Sequence, residues 1–422
     1  MKLRHLAAGA TVVPFLLLAA CRISPIDYTP RYTDFMSANI VLGQGDFTSN
    51  QANQGSPTPA SDTMNAPVGS VGTYPYASST AQNGYYVPDT GNNRVLGFNG
   101  INNNTADQAD FVLGQTDLYH GAVNENRSSP DGSTLSEPAA VASDGANYLA
   151  VADSGNNRVL VWHGLPTSSN AQATWALGQT SMTGSASGCG PSAMNDPSGV
   201  TIAGGKLIVA DTGNNRVLIW NDVTSLVDGK APDLVLGQQN LTSCRPNQGN
   251  TSPSATTLSG PTAVWSDGTR LIVADSGNNR VLIWNDISSL TSSNDDQPAN
   301  VVVGQPDMTS GSPGASQTLM NDPKGVDGYG GGLYVADTGN NRVLIFDSRP
   351  ASNDAAADIV LGQSDFTHHA ANDDNQDGSP DATPTDRTLD APAGLRAFSQ
   401  GLMVADTGNN RWLDFQKHIP NQ

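Results

Sequence analysis

Leu271-Ile272-Val273-Ala274-Asp275-Ser276-Gly277-Asn278-Asn279-Arg280-Val281-Leu282-Ile283-Trp284 is the stretch that decides the fold of this chain. Two short β-branched and aliphatic runs flank a Ser-Gly-Asn-Asn core. Gly and Asn tolerate the left-handed conformations that a tight turn demands. The stretch therefore reads as a strand, a turn and a returning strand. Its marker, Asp-Ser/Thr-Gly-Asn-Asn-Arg, recurs at Asp89–Arg94, Asp153–Arg158, Asp211–Arg216, Asp275–Arg280, Asp337–Arg342 and Asp406–Arg411, at a near-constant spacing. Two further markers cycle with it in fixed order. A Gly-Gln pair ends at Gln44, Gln115, Gln179, Gln238, Gln305 and Gln363, and Pro-x-Gly/Ala begins at Pro67, Pro138, Pro197, Pro261, Pro323 and Pro392. Self-similarity at a fixed period marks a repeat architecture.

Each unit reads as four strands. In the third, Pro197–Ile202, Leu207–Ala210, Arg216–Trp220 and Leu234–Gln238 are short apolar runs bounded by Gly, Asn, Asp and Pro. A unit of about 60 residues holding one four-stranded antiparallel sheet is a propeller blade. Small residues at the third position of the first strand suit the crowding of innermost strands around a central channel. The chain opens with a lone fourth strand, Asn39–Gln44, and closes with a first, second and third strand from Leu395 through Phe415. The expectation is an all-β, six-bladed propeller over 39–417, with the N-terminal strand completing the last blade and leaving no exposed edge.

The repeated Leu-Ile-Val-Ala-Asp-Ser-Gly-Asn-Asn-Arg-Val-Leu-Ile-Trp unit resembles the NHL family, and the likeness recurs six times over nearly the whole mature chain. The resemblance implies the propeller fold. NHL propellers include protein- and RNA-binding modules, a peptide-amidating lyase and exported proteins, so it implies no single activity. The added Gly-Gln strand departs from the short NHL consensus, and the units here are longer.

Six Asp/Arg pairs in identical contexts read as architecture: Asp89 with Arg94, Asp153 with Arg158, Asp211 with Arg216, Asp275 with Arg280, Asp337 with Arg342 and Asp406 with Arg411. Each acid and base flank the turn closely enough to pair across the hairpin or with the next blade. A metal or catalytic reading is the alternative, but catalytic groups in a pseudo-symmetric ring are usually those that break the symmetry. The aromatic four positions past each Arg (Phe98, Trp162, Trp220, Trp284, Phe346, Phe415) shares a face with Arg in period two and reads as packing between blades. Each Gln of the fourth strand reads as a cap on a strand end.

The segments from Gln to the next Pro diverge in length: Gln179–Pro197 and Gln305–Pro323 are the shortest and Gln363–Pro392 the longest. In an up-and-down blade they emerge on the same side as the Asp-to-Arg turns, and variable loops on a rigid scaffold are where binding lives. The longest loop, Ser364–Ala391, carries a calcium-like start: Asp373, Asn375, Asp377 and Asp381 stand at positions 1, 3, 5 and 9, with Gly378 for the sharp turn. Pro384 occupies position 12, so a full EF-hand is excluded. The alternative is a solvated acidic loop. His368 and His369 precede it, but adjacent side chains on a strand point apart.

The N-terminus reads as an address. A basic start, Met1–His5, precedes an apolar run from Leu6 to Leu18 that is too short to span a bilayer comfortably. It ends Leu18-Ala19-Ala20-Cys21, which resembles the lipobox of bacterial lipoproteins and implies cleavage after residue 20 and a lipid on Cys21. The expected division is a signal peptide at 1–20, lipidated Cys21 with a tether to 38, the propeller at 39–417 and a tail at 418–422. Without an Asp after Cys21, the anchor points toward the outer membrane, with the domain in the periplasm or at the cell surface. Export also permits a disulfide between Cys189 and Cys244, which fall in equivalent loops of neighbouring repeats.

Composition narrows the function. Lys and Arg total 20 against 39 Asp and Glu, a net charge of −19; loss of Lys2 and Arg4 takes the mature chain to about −21. Phosphate backbones are repelled by so acidic a surface, so nucleic acid is excluded as a partner. Ser70, Val141, Val200, Val264, Val326 and Leu395 follow the six Pro-x-Gly/Ala triplets, and five of these are apolar. No carboxylate cluster and no Gly-x-Ser-x-Gly elbow marks a reaction centre. The expectation is a monomeric, membrane-anchored binding or scaffold module of the envelope, without catalysis, presenting its loop face to a protein or glycan, with calcium as the one candidate cofactor. The alternative is a metal-dependent hydrolase or lyase of the lactonase or amidating-lyase kind.

Overall fold

The computed structural model describes residues 30–418 other than 76–82, 102–104, 106, 289 and 291–296. Cys21 and the leader lie outside the described residues. The described chain forms six four-stranded antiparallel sheets arranged as the blades of a propeller. Blade 3 shows the order: inner strand Pro197–Ala203, then Lys206–Asp211, Arg216–Trp220 and outer strand Leu234–Leu236. The outer strand stops short of Gly237-Gln238, which the sequence places within it. Gly237 adopts φ +86°, a left-handed turn that ends the pairing and frees the glutamine.

Blade 6 takes Pro392–Ala397, Gly401–Asp406 and Arg411–Gln416 from the C-terminal end and Ile40–Leu42 from the N-terminal end. Ile40 pairs with Asp414 and Leu42 with Trp412, so one sheet joins both ends of the chain. Such a ring buries every edge strand but the outermost.

Alternate residues of each inner and middle strand point into the seam between neighbouring blades. Leu177 and Val209, one from each of two blades, meet Leu218 and Trp220 in one buried cluster. The aromatic past each Arg is buried in all six blades, and Trp162, Trp220 and Trp284 donate Nε1–H to backbone carbonyls. At the axis the inner strands come so close that a Cβ on Gly394 would lie 1.9 Å from the Gly69 carbonyl oxygen.

By contacts the chain divides into residues 32–417, which hold the propeller, and residues 1–31 with 418–422. In the second unit the backbones of Arg31 and His418 pair. The packed unit begins earlier than the strand pattern indicates. Tyr32, Met36 and Ala38, in the stretch read as tether, are buried, and Asp34 Oδ1 accepts the Val360 N–H at 2.9 Å. Three apolar residues with no period carry no signal in sequence, yet they fill a seam that the ring has already shaped.

Candidate functional site

Pro197, the first residue of the inner strand, pairs with Asp211 at the end of the second, and Ala203 pairs with Lys206. Every Asp-to-Arg turn therefore shares one face with the long loops that lead into the inner strands. The links between first and second strands occupy the other face.

On the loop face the repeated polar residues form one hydrogen-bonded lattice. Arg216 is fully buried; its Nε meets Asp211 Oδ2 at 2.7 Å. Its Nη1 donates to the Leu241 carbonyl at 2.6 Å, and its Nη2 to those of Gly190 and Ala193 at 3.0 and 2.9 Å. One guanidinium thus pins the loop before its blade and the loop after it. The other five arginines repeat the arrangement, and Arg411 reaches the carbonyl of Phe47 across the ring closure. Asp211 accepts further bonds from Asn214 Nδ2 and the Asn195 N–H, at 2.9 and 2.8 Å. Burial pushes the Asp211 carboxyl up, and the pull of Arg216 with these donors opposes it.

The remaining turn residues join each blade to the next. Thr212 Oγ1 donates to the Pro261 carbonyl at 2.7 Å, and Thr407 does the same to Pro67 across the closure. Asn215, at φ +55°, accepts the Gly260 N–H at 2.8 Å. A Cβ on Gly213 would stand 2.4 Å from Asn195 Nδ2, so only glycine fits the turn. Gln238 donates Nε2–H to the carbonyls of Asn215 and Arg245, at 2.9 and 2.8 Å, tying the end of the outer strand to the turn and to the loop that follows. With these partners, the six Asp/Arg pairs are spent on holding the ring.

The loops fall into two kinds that match their lengths. In the four longer connections an asparagine pairs amide to amide with the turn: Asn53 with Asn92, Asn124 with Asn156, Asn247 with Asn278 and Asn372 with Asn409. In the two shorter ones, Gln179–Pro197 and Gln305–Pro323, a glycine carbonyl takes its place. Gly188 accepts from Asn214 at 2.8 Å and Gly314 from Asn340 at 2.9 Å.

A disulfide joins Cys189 and Cys244, whose Cα atoms are 6.3 Å apart. Beside it lies a cavity of 390 Å³ lined by Gln238, Gln239, Thr242, Ser243, Arg245 and Gln248. In the longest loop Asp373 is buried and accepts the N–H groups of Asp377 and Gly378 at 3.1 and 2.9 Å. Asn375 accepts the Asp377 N–H at 2.9 Å, and Asp381 accepts the Asp374 N–H at 3.1 Å. Asp365 contacts His368 at 2.9 Å. Desolvation raises the Asp365 carboxyl, but hydrogen bonds from His368 and Thr367 outweigh it and hold the group well below the usual range. Among the described residues no group of three or more His, Cys, Asp or Glu converges as a metal ion would require.

Symmetry breaks on the opposite face, one position beyond the apolar residues that follow the Pro-x-Gly/Ala triplets. Ala142, Thr201, Trp265, Asp327 and Arg396 are the residues there in blades 2 to 6. The signal was available in the sequence as the divergence of this position, but its apolar neighbour masks it.

The family model of the NHL repeat matches residues 194–220, the entry to blade 3 and its first three strands. The chain is a six-bladed propeller carrying an NHL repeat. No curated protein matches it. Among solved structures, an auxiliary nutrient binding protein from Bacteroides thetaiotaomicron VPI-5482 is similar over 90% of this chain and 75% of that one, at 12% identity and a TM-score of 0.45.

Proposed function

We propose that this chain is a binding module of the bacterial cell envelope, exported by its leader, anchored through a lipid on Cys21, and taking a glycan on its loop face. The observation that carries the reading is the cavity of 390 Å³ beside Cys189 and Cys244, on the face where all six long loops meet. Its amide and hydroxyl groups offer the donors and acceptors that sugar hydroxyls need, and Arg245 adds a charge. The lattice beneath holds those loops at both ends, so a ligand meets a surface already ordered. A protein ligand is the second reading, favoured by Tyr119 and Val123, which are 64% and 51% exposed in the loop between blades 1 and 2. Calcium is proposed as an accessory that orders Asp373–Asp381, on the strength of the oxygen spacing and the turn at Gly378.

The test is retention of the full chain, purified in detergent, on immobilised envelope polysaccharides and on solubilised envelope, with calcium or with chelator. Saturable retention on a polysaccharide, weakened by Arg245→Ala and Thr242→Ala, is the expected result. Retention that neither substitution alters removes the loop-face site. Retention that chelator and Asp377→Asn both leave unchanged removes calcium. Failure on every polysaccharide and every envelope fraction moves the weight to the hydrolase or lyase alternative, for which esters and lactones are the substrates to try.

A further inference from the structure

The mouth of the ring away from the long loops holds a cavity of 460 Å³ whose walls concentrate charge. Arg270, Arg349 and Arg396 line it together with Asp267 and Asp327. Three guanidinium groups against two carboxylates make a local positive excess in a chain of net charge −19.

These arginines are held differently from those of the lattice. Arg349 donates Nη2–H to the Gly328 carbonyl at 2.9 Å, and its Nη1 is 3.9 Å from Asp267 Oδ2. Its Nε is buried and, among the described residues, has no partner. Arg270 reaches the same Asp267 oxygen at 3.1 Å and is 46% exposed. Arg396 is 35% exposed and stands 3.9 Å from Asp327 Oδ2, a carboxylate that already accepts the N–H groups of Tyr329 and Ala397 at 3.0 and 3.2 Å. The donors left over for a ligand therefore belong to the partly exposed Arg270 and Arg396.

An aromatic face completes the wall. The Arg349 guanidinium lies 5.0 Å over the Trp265 ring, and a Cβ on Gly328 would approach the indole to 2.7 Å. Guanidinium and backbone thus hold the indole at the mouth. Thr73, Ser143 and Thr201 line the same cavity, while the Ser266 hydroxyl is spent on the Arg270 carbonyl at 2.6 Å.

We infer that this mouth binds an acidic sugar, a hexuronate or the uronate end of a longer glycan. Planar guanidinium forks match a carboxylate. Asp267 with Thr73, Ser143 and Thr201 suits the sugar's own hydroxyls, which a bare phosphate lacks, and the two aspartates repel a doubly charged anion. A volume of 460 Å³ lies within the range of small-ligand sites. The site is separate from the loop-face reading and stands or falls without it.

The experiment titrates the full chain in detergent with glucuronate and galacturonate, and with glucose and inorganic phosphate as comparisons, by calorimetry or ligand-observed NMR. Saturable uronate binding is expected, with glucose at least about tenfold weaker, the loss of one charge-assisted contact. Arg270→Gln and Arg396→Gln, both at partly exposed positions, are expected to weaken uronate about tenfold each while melting with the parent. Arg349→Gln also removes packing on Trp265, so it is read only beside those two. The proposal is overturned by no uronate saturation, by phosphate or glucose binding equally well, or by affinities that Arg270→Gln and Arg396→Gln leave intact.

Discussion

At the loop face Arg216 engages one carboxylate and three carbonyls with its Nε, Nη1 and Nη2, whereas at the opposite mouth the partly exposed Arg270 and Arg396 stand 3.1 and 3.9 Å from their carboxylates. All three are arginines near the ends of strands in one ring. The difference lies in repetition. A group repeated six times with all three of its nitrogens engaged maintains spacing between blades, and removing it leaves buried charge behind. A group that occurs once, with donors in surplus, is available to something outside the chain.

The hardest test of that contrast is to break one lattice pair. Arg216→Ala strands a buried Asp211, and Asp211→Ala strands Arg216, so each is expected to cost about 3–5 kcal/mol in urea unfolding. Loss of less than about 1 kcal/mol would place the lattice on a level with surface ion pairs and erase the contrast.

The disulfide tests whether the loop face needs its covalent tie as well. Cys189 and Cys244 are 55 residues apart, and Cys189→Ser is expected to cost about 2–4 kcal/mol through the closed loop it releases. A cost near zero would mean that the arginine lattice already holds the two loops.

Asp414 carries the contrast toward the far face. This carboxyl is 8% exposed, and burial pushes it up to about 6, from an ordinary 3.8. Between those values the folded chain holds a proton that the unfolded chain has released. Stability is therefore expected to fall as pH rises from about 4 to 6 and to level off above. Asp414→Asn is expected to stabilise the chain by on the order of 1–3 kcal/mol at pH 7 and to flatten that slope. An unchanged slope in the variant would assign the pH dependence to other groups.

The smallest effect is expected at the mouth. Arg396→Gln should change unfolding stability by no more than about 0.5 kcal/mol, as for a partly exposed residue outside the core. A cost as large as that of Arg216→Ala would make Arg396 part of the architecture instead.

The fold was largely legible because its signal is local and repeated. Asp-Ser/Thr-Gly-Asn-Asn-Arg specifies a turn from backbone preference alone, and six copies in one order specify blades and their closure. Gln238 was harder to place. Its Gly237 reads as part of an aliphatic run, and only the observed φ of +86° shows that the strand has ended. Tyr32, Met36 and Ala38 were illegible as core because a seam made by distant strands, not a local period, buries them.

The candidate sites divide along the same line. Asp373–Asp381 and the loop face can be named from spacing, since their residues are neighbours in the chain. The charged mouth shows in the sequence only as one divergent inner-strand position, not as a cluster. Asp267, Asp327, Arg349 and Arg396 come from three blades and are brought together only when the ring closes. The sequence by itself determined the blade, its sixfold repetition and the strand that locks the ends, because those follow from residues within about one repeat of each other. Tertiary structure alone decided which unrepeated side chains face one another across the channel, because that depends on where six inner strands converge.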